Sequence, residues 1–392
     1  MTVEVHSLGC RLNVAESEAL RGLLAGAEDL VVINSCAVTA EAVRQTRQAI
    51  RRARRDHPGA RLIVTGCAAE VEREMLGGMP EVDGLVANTV KLDPRAWNVP
   101  AAPRLPESRG YTRGFVQVQN GCDHSCTFCV IPQGRGPSRS RPLAEVLEDI
   151  AIHADAGVGE IVLTGVDLTS WGADLPGNPR LGALCEAIFA RFPALPRLRL
   201  SSIDGAEVDE GLFELLASEP RMMPHVHLSL QHGDDLILKR MKRRHTRADA
   251  VALVERLRTR RPDLTVGADI IAGFPTEDAA AHAANISIIA ELQVVHGHVF
   301  PYSQRPGTPA ARMPQVPAAR IKARAAELRT AVARQREKWL EELVGRPLSV
   351  LAERGGSGHA ENFAKVRLPE GTRPGAMVRV TPARVVEGIL EA

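Results

Sequence analysis

The chain has 392 residues, of which 44% are hydrophobic and 24% charged, a composition typical of a folded protein that excludes wholesale disorder. Its 49 basic and 47 acidic residues give a formal charge of only +2, so net charge alone indicates no partner. No run of about 18 apolar residues occurs, and the first ten residues lack the basic and apolar regions of a signal peptide. We therefore expect a cytoplasmic protein with no membrane partner.

Residues 1–97 alternate short apolar runs with helical stretches, which predicts βα units around a parallel sheet. Three of the runs, VEVHSLGC, DLVVINSC and ARLIVTGC, end on Cys10, Cys36 and Cys67. These cysteines are spaced 26 and 31 residues apart, close to one βα unit of about 30 residues. All three would lie at the carboxyl ends of neighbouring strands, where open α/β sheets bind ligands. They could hold a soft metal centre together; unrelated buried cysteines are the alternative.

The remainder of the chain divides into three predicted parts. Residues 98–110 are rich in proline and read as a linker. Residues 111–343 again alternate strands and helices, which predicts a parallel, open (β/α)6 partial barrel with its site at the carboxyl ends of the strands. Its candidate strands are 115–121, 160–166, 197–203, 225–231, 265–274 and 294–300. Residues 344–392 contain short β-type runs separated by Gly and Pro, which predict a small β-barrel module. The fold class is therefore α/β with a terminal all-β unit.

A second group of cysteines follows the first predicted barrel strand, in the sequence GCDHSCTFC. Cys122, Cys126 and Cys129 form a CxxxCxxC pattern whose three thiolates could ligate three irons of a [4Fe–4S] cluster and leave the fourth iron open; ferredoxins use other spacings. His124 could instead complete a four-ligand zinc site, so zinc is the alternative. Cys185 matches no motif, and we expect it to be a core residue.

These cysteine motifs and their surroundings resemble the radical S-adenosylmethionine (SAM) methylthiotransferase family. The similarity is carried, in colinear order, by SLGCRLNVAESE (7–18), VINSCAVT (32–39), VTGCAAE (64–70), QNGCDHSCTFCVIPQGRGPSRSRP (119–142), EIVLTGVDLTSWG (160–172), LSLQHGDDLILKRMKRRHT (228–246), IIAGFPTE (270–277) and PYSQRPGTPAARM (301–313). It covers essentially the whole chain, and the final stretch resembles the TRAM module that such enzymes use to hold RNA.

The resemblance implies two [4Fe–4S] clusters and SAM as cofactors. Cys10, Cys36 and Cys67 would bind an auxiliary cluster, and Cys122, Cys126 and Cys129 the cluster that binds SAM. One SAM would supply a methyl group to a sulfur on the auxiliary cluster, and a second would supply the radical that activates the target carbon. The residues expected in the SAM pocket are Phe128, Thr164, Gly165, Val166, Ser202, Gln231, Ile271 and Gly273. The sequence GVD at 165–167 departs from the Gly-Gly-Glu of many radical SAM enzymes.

The segments GCRLN and CTFCVIPQGRGPSRS are most similar to family members that act on threonylcarbamoyladenosine, whereas isopentenyladenosine enzymes typically show GCQMN and CTYC. The resemblance therefore implies a tRNA methylthiotransferase that converts N6-threonylcarbamoyladenosine at position 37, beside the anticodon, to its 2-methylthio derivative. The alternatives are an isopentenyladenosine enzyme, a ribosomal-protein aspartate methylthiotransferase and a radical enzyme with a small-molecule substrate. A non-catalytic, metal-stabilised RNA-binding protein is the alternative from a different class.

Local basic charge is consistent with a tRNA partner. Residues 239–261 contain ten Lys or Arg and residues 312–338 contain eight, each with two acidic residues. Arg135, Arg139 and Arg141 follow the second cysteine group, where contact with RNA phosphates is expected. Solvated helix faces and loops are the alternative in each case. We also expect an external electron donor and a monomeric protein.

Overall fold

The computed structural model describes residues 3–100 and 112–392. The predicted linker at 98–110 lies almost entirely outside these described residues. Among the helices that are described, none combines the length and the apolar character needed to cross a bilayer.

The amino-terminal part is a four-stranded parallel sheet in the order β1-β2-β3-β4, as the alternating pattern predicts. Its strands are β1 (Glu4–Ser7), β2 (Leu30–Ser35), β3 (Arg61–Gly66) and β4 (Gly84–Leu85), and its helices are α1 (Arg11–Leu23), α2 (Ala40–Asp56), α3 (Cys67–Val71) and α4 (Arg73–Gly77). Because successive strand residues point to opposite faces, the sheet buries two apolar layers. Ile33 packs with Ile50 of α2 on one face, and Val32 packs with Leu20 of α1 on the other.

The central part contains two parallel sheets, in the orders β5-β8-β9 and β10-β11-β12-β13, and a short antiparallel pair, β6-β7. Its strands are β5 (Arg113–Gln117), β6 (Gln119–Asn120), β7 (Arg139–Ser140), β8 (Glu160–Thr164), β9 (Leu198–Leu200), β10 (Ser202–Ile203), β11 (His225–Gln231), β12 (Thr265–Ala272) and β13 (Val294–Pro301). Its helices are α5 (Ile131–Arg135), α6 (Leu143–Asp155), α7 (Leu181–Arg191), α8 (Glu210–Ser218), α9 (Asp235–Met241), α10 (Arg247–Arg260), α11 (Ala279–Glu291) and α12 (Ala318–Leu343). Only Ser201 separates β9 from β10, so the two parallel sheets follow one another directly.

The carboxyl-terminal part is a six-stranded mixed sheet in the order β17-β14-β15-β16-β19-β18. Its strands are β14 (Leu348–Ala352), β15 (Ser357–Ala360), β16 (Lys365–Arg367), β17 (Met377–Val380), β18 (Arg384–Val386) and β19 (Ile389–Glu391). All neighbours are antiparallel except β16 and β19. The short runs between Gly and Pro residues thus form strands as predicted, in a mixed sheet, and the closure of this sheet into a small barrel stays a prediction.

The loop between β15 and β16 docks this sheet onto the amino-terminal ends of the central strands. Phe363 adopts a left-handed backbone conformation, and its ring centroid lies 5.1 Å from that of His225 and 5.4 Å from that of His296. The Arg199 guanidinium carbon lies 4.8 Å from the same ring. Close by, the Thr265 hydroxyl donates to the carbonyl of Asn362 at 2.8 Å. The aromatic ring therefore forms a floor at this end of the parallel strands.

Candidate functional site

The first cysteine group lies at the carboxyl edge of the amino-terminal sheet, where its spacing predicts it. Cys10 immediately precedes α1, Cys36 immediately follows β2, and Cys67 begins α3 directly after β3. Gly9 has a φ of +94°, and a Cβ at this position would lie 2.8 Å from the Cys36 Sγ. Only glycine fits this contact without strain, and it brings the Cys10 loop onto Cys36.

Burial and neighbouring charges shift the pKa values of the thiols in this group. The pKa of Cys36 is raised to about 11, chiefly by burial, and the neighbouring thiols of Cys67 and Cys10 contribute to this shift. Burial also raises the pKa of Cys67, whereas the nearby cations Arg135 and Lys91 lower it. Three thiols at one edge of the sheet offer the soft ligands that an iron–sulfur cluster needs. The buried cations beside them would offset the negative charge of the thiolates.

The second cysteine group lies on the loop between β6 and α5, and each thiol receives a hydrogen-bond donor. The backbone N–H of His124 points at the Cys122 Sγ at 3.4 Å, and that of Ile131 at the Cys129 Sγ at 3.4 Å. The Arg243 Nη1 lies 3.7 Å from the Cys126 Sγ. Donors of this kind favour thiolates and would orient them for iron. Nothing in the sequence motif indicated the contact made by Arg243, which comes from the loop after α9.

Burial dominates the proton affinity of this group as well. It raises the pKa of Cys122 to about 12 and that of Cys129 to about 11, and neighbouring negative groups add to both shifts. Binding of a metal group would therefore displace protons from these thiols. His124 lies close to Cys122, but its Nε2 is 2.8 Å from the Asp167 carboxylate, which together with Glu207 raises its pKa to about 10. The Nε2 of His124 is thus engaged by a carboxylate, and a zinc ion bound there would have to replace this contact.

The two cysteine groups are connected by α5, which follows the second group and packs against Cys67 of the first. A Cβ at Gly134, in α5, would lie 3.3 Å from the Cβ of Cys67. The buried Asn88 amide donates to the Gly134 carbonyl at 2.6 Å, and its nitrogen lies 3.9 Å from the Cys67 Sγ. The charge of Cys67 also contributes to the raised pKa of Cys129. The structure thus brings both predicted metal sites to one place between the amino-terminal sheet and the central strands.

Arg135 does not face RNA, and the prediction of a phosphate contact at this residue is wrong. Its side chain is 3% exposed, and its Nη1 lies 2.8 Å from the Glu16 carboxylate in α1. The Lys91 Nζ lies 2.6 Å from the same carboxylate, which is fully buried. The three residues form a buried charge network, Lys91–Glu16–Arg135, beneath the first cysteine group. Its members are far apart in sequence, so local charge patterns could not reveal the pairing.

The other predicted RNA contacts differ in their availability. Arg139 is exposed, and its guanidinium donates only to backbone carbonyls among the described residues, so phosphate contact stays a prediction there. Arg141 is largely buried and pairs with Asp149 at 2.6 Å. In the segment 239–261, six of the ten basic side chains form ion pairs with carboxylates: Arg243, Arg244, Arg247, Arg256, Arg260 and Arg261. The positive charge of that segment is therefore mostly neutralised within the fold.

The residues predicted to line a SAM pocket gather at the carboxyl ends of the central strands. Thr164 ends β8, Ser202 begins β10, Gln231 ends β11, and Ile271 and Gly273 lie in and just after β12. Gly165 and Val166 follow β8, where the Gln119 side-chain oxygen accepts hydrogen bonds from the N–H groups of Val166 and Asp167 at 3.0 and 2.9 Å. The Phe128 ring packs edge-on against Phe274 at 6.3 Å. Direct contact of these residues with SAM stays a prediction.

Cys185 lies apart from both groups, as expected. It is fully buried in α7 among apolar side chains, and this burial raises its pKa well above the ordinary range. The remaining six cysteines are thus distinguished from it by position as well as by motif.

Comparison with known proteins agrees with this arrangement. Residues 116–284 match the radical SAM superfamily, and residues 2–87 match the uncharacterized protein family UPF0004. The chain is 42% identical to the threonylcarbamoyladenosine tRNA methylthiotransferase MtaB of Rickettsia prowazekii, with 99% of this chain and 96% of that protein covered. It is 33% identical to a tRNA-2-methylthio-N(6)-dimethylallyladenosine synthase of Cereibacter sphaeroides, with 96% and 94% covered.

Among solved structures, the radical SAM methyltransferase TsrM of Kitasatospora setae superposes with a TM-score of 0.53 at 17% identity, covering 75% of this chain and 65% of that one. That likeness concerns the fold alone. The near-complete coverage of the sequence relatives shows that the chain belongs to the radical SAM methylthiotransferase family. Membership of this family, whose chemistry uses a [4Fe–4S] cluster and SAM, decides against a non-catalytic, metal-stabilised RNA-binding protein.

Proposed function

We propose that this protein is a threonylcarbamoyladenosine tRNA methylthiotransferase, which converts N6-threonylcarbamoyladenosine at position 37 of tRNA to its 2-methylthio derivative. The observation that carries the proposal is the packing of α5, which directly follows the second cysteine group, against Cys67 of the first. The reaction joins sulfur and carbon at one atom of the base, so sulfur delivery and radical formation must occur side by side. The similarity to MtaB over nearly the full length supports the choice of base.

Each cysteine group has its own part in the proposed reaction. Cys10, Cys36 and Cys67 would hold an auxiliary [4Fe–4S] cluster, and Cys122, Cys126 and Cys129 a second one that binds SAM. When bound, these groups supply the sulfur, the methyl group and the radical. The protein contributes positioning: the N–H groups of His124 and Ile131 and the Arg243 guanidinium orient the second group of thiolates. Phe128, Thr164 and Gln231 would line the SAM pocket at the same edge.

The central strands and the carboxyl-terminal sheet also have roles in the proposed function. The two parallel central sheets would act as one open, six-stranded (β/α)6 barrel in which β9 and β10 count as a single strand, supported by the single-residue interval between them. The carboxyl-terminal mixed sheet would act as a TRAM-like module that holds tRNA. We infer domain limits of 1–97, 111–343 and 344–392, a monomeric enzyme, and an external electron donor as its second partner.

The proposal is tested by assaying the anaerobically reconstituted enzyme with tRNA that carries threonylcarbamoyladenosine, and reading nucleosides by mass spectrometry. The expected result is the 2-methylthio derivative of that nucleoside, with replacement of any one of the six clustered cysteines by Ala abolishing it. The Cys185→Ala variant is the matched control and should keep the activity. Product on isopentenyladenosine alone would replace this function with that of the Cereibacter relative, and modification of a ribosomal-protein aspartate alone would assign the third member of the family.

A further inference from the structure

Arg11 follows Cys10 directly and points away from the amino-terminal sheet into the interior of the central strands. Its guanidinium carbon lies 5.3 Å from the centroid of the Phe363 ring, the floor at the amino-terminal ends of those strands. Among the residues that the structure describes, its side chain makes no hydrogen bond and no ion pair. An Arg in such a setting normally finds a carboxylate, because guanidinium groups are rarely buried without a partner.

The cations around Arg11 already form ion pairs with carboxylates. The fully buried Glu160 lies 2.8 Å from the Arg199 Nε and 2.9 Å from the Arg113 Nε. Arg113 also pairs with Glu353 at 2.7 Å. The charges of Arg113 and Arg199 oppose that of Arg11, and Glu160 attracts it only from beyond ion-pair distance. The pairs between these strands therefore leave the Arg11 charge uncompensated.

The charge count of this interior supports the same conclusion. Four guanidinium groups converge there, those of Arg11, Arg113, Arg197 and Arg199. Glu160 and Glu353 contact them directly, and Glu361 acts on Arg197 at longer range. The histidines His225 and His296 nearby have pKa values well below the ordinary value because they are buried, so they are neutral and add no charge. Among these groups, four guanidinium charges against three carboxylates leave one positive charge for an incoming anion.

Substrate chemistry indicates which anion reaches this position. In adenine, C2 and C6 both adjoin N1, and C6 carries the N6 substituent. A base that presents C2 to the cysteine groups would therefore project its N6 substituent close to them, and Arg11 directly follows Cys10 in the first group. The threonylcarbamoyl group ends in a carboxylate, whereas an isopentenyl group has no charge. A backbone phosphate stays outside such an interior, because enzymes that modify a base draw the base itself into the pocket.

We propose that Arg11 is the specificity-determining residue of this enzyme and binds the carboxylate of the threonylcarbamoyl group. This proposal rests on the proposed function. A planar guanidinium matches a carboxylate with two parallel hydrogen bonds, which adds orientation to affinity. Phe363 holds the guanidinium from below by a cation–π contact.

The test measures binding rather than turnover. Anaerobically reconstituted protein is titrated against three anticodon stem-loops by fluorescence anisotropy at fixed salt. One carries threonylcarbamoyladenosine at position 37, the second its carboxyl methyl ester, and the third unmodified adenosine. We expect the wild type to bind the free acid roughly tenfold or more tightly than the ester, in line with a charged hydrogen bond. Arg11→Gln should remove this preference and leave the affinity for unmodified RNA unchanged.

Arg11→Lys should keep part of the preference, because lysine retains the positive charge but cannot form two parallel hydrogen bonds with a carboxylate. Arg47→Gln, which removes an exposed cation from α2 of the same part of the chain, is the matched control and should keep all of it. A retained preference in Arg11→Gln, or an equal loss of affinity for all three RNAs, would overturn the proposal. The ester comparison with wild-type protein needs no variant, so a failure of Arg11→Gln to fold or to bind iron leaves the proposal falsifiable.

The results of these experiments distinguish a failure of the role of Arg11 from a failure of the proposed function. Wild-type protein that makes the 2-methylthio derivative of threonylcarbamoyladenosine but binds acid and ester equally refutes the role of Arg11 alone. Wild-type protein that modifies isopentenyladenosine instead refutes the proposed function, and with it the role of Arg11.

Discussion

Replacement of Glu16 by Gln should destabilise the contact between the amino-terminal sheet and the central strands. The fully buried Glu16 carboxylate is shared by Lys91 at 2.6 Å and Arg135 at 2.8 Å, and a neutral amide would leave both cations buried without a countercharge. Removal of one partner from a buried ion pair costs about 3–5 kcal/mol. The two cations hold the pKa of Glu16 at about 2, against an ordinary value of 4.5, although burial alone would raise it. That shift corresponds to about 3 kcal/mol in favour of the folded state.

The pH dependence of this effect has a defined sign. Since the pKa of Glu16 is lower in the folded than in the unfolded chain, its stabilisation is complete above pH 5 and is lost as the pH falls towards 2. The wild-type advantage over Glu16→Gln should thus be about 3 kcal/mol at pH 7 and roughly 1 kcal/mol at pH 3. Urea unfolding of metal-free protein, with deuterium pulses read on peptides from α1 and residues 85–97, measures the difference at both pH values.

Glu41→Gln serves as the control, because the Glu41–Arg44 pair on α2 is exposed and should contribute little to stability. A Glu16→Gln variant as stable as the wild type at pH 7 would show that the Lys91–Glu16–Arg135 network does not stabilise the fold. An equal loss at pH 7 and pH 3 would show that packing, rather than ionisation of Glu16, accounts for the effect.

Three further predictions follow from contacts described above. Gly9→Ala should lower the iron content from two clusters to one, because its Cβ would lie 2.6 Å from the Cβ of Cys36 at a positive φ; Gly26→Ala, with open space around it, should leave iron and sulfide analyses unchanged. Cys185→Ala should lower the free energy of unfolding by about 1 kcal/mol without altering the iron-dependent absorption spectrum, and loss of a cluster would contradict its role as a core residue. Phe363→Ala should weaken docking of the carboxyl-terminal sheet by about 2 kcal/mol, read as faster hydrogen exchange in β15 and β16, and unchanged exchange would refute the floor contact.

The positions of the cysteines could be predicted from the sequence because they depend on local patterns. The spacing of Cys10, Cys36 and Cys67 matches one βα unit each, and parallel strands bring equivalent positions to one edge. The roles of Arg135 and Arg11 could not be predicted in this way. Arg135 was expected to contact phosphate because basic residues surround it, but Glu16, more than a hundred residues earlier in the chain, buries it. The pairing of charges over such distances depends on tertiary structure and has no local signature.

The basic segment 239–261 differs from its prediction for the same reason. A count of charges along the chain cannot include carboxylates supplied by other elements, such as Glu210 and Glu214 of α8, which pair with Arg256 and Arg260 of α10. By contrast, the β-rich character of residues 348–391 follows from turn residues within the segment itself, so the sequence was sufficient there.

The location of Phe363 has a consequence for synthesis of the protein. Its ring covers the amino-terminal ends of the central strands, yet it follows β13, the last of them, in the sequence, so the ribosome delivers it after every strand that it covers. Until then the buried charges of Glu160, Arg199 and their neighbours face water at that end. Domains that emerge in sequence generally fold in sequence. A nascent chain stalled before β14 should therefore have a hydrated core that proteases can reach, and synthesis of the carboxyl-terminal sheet would bury that core.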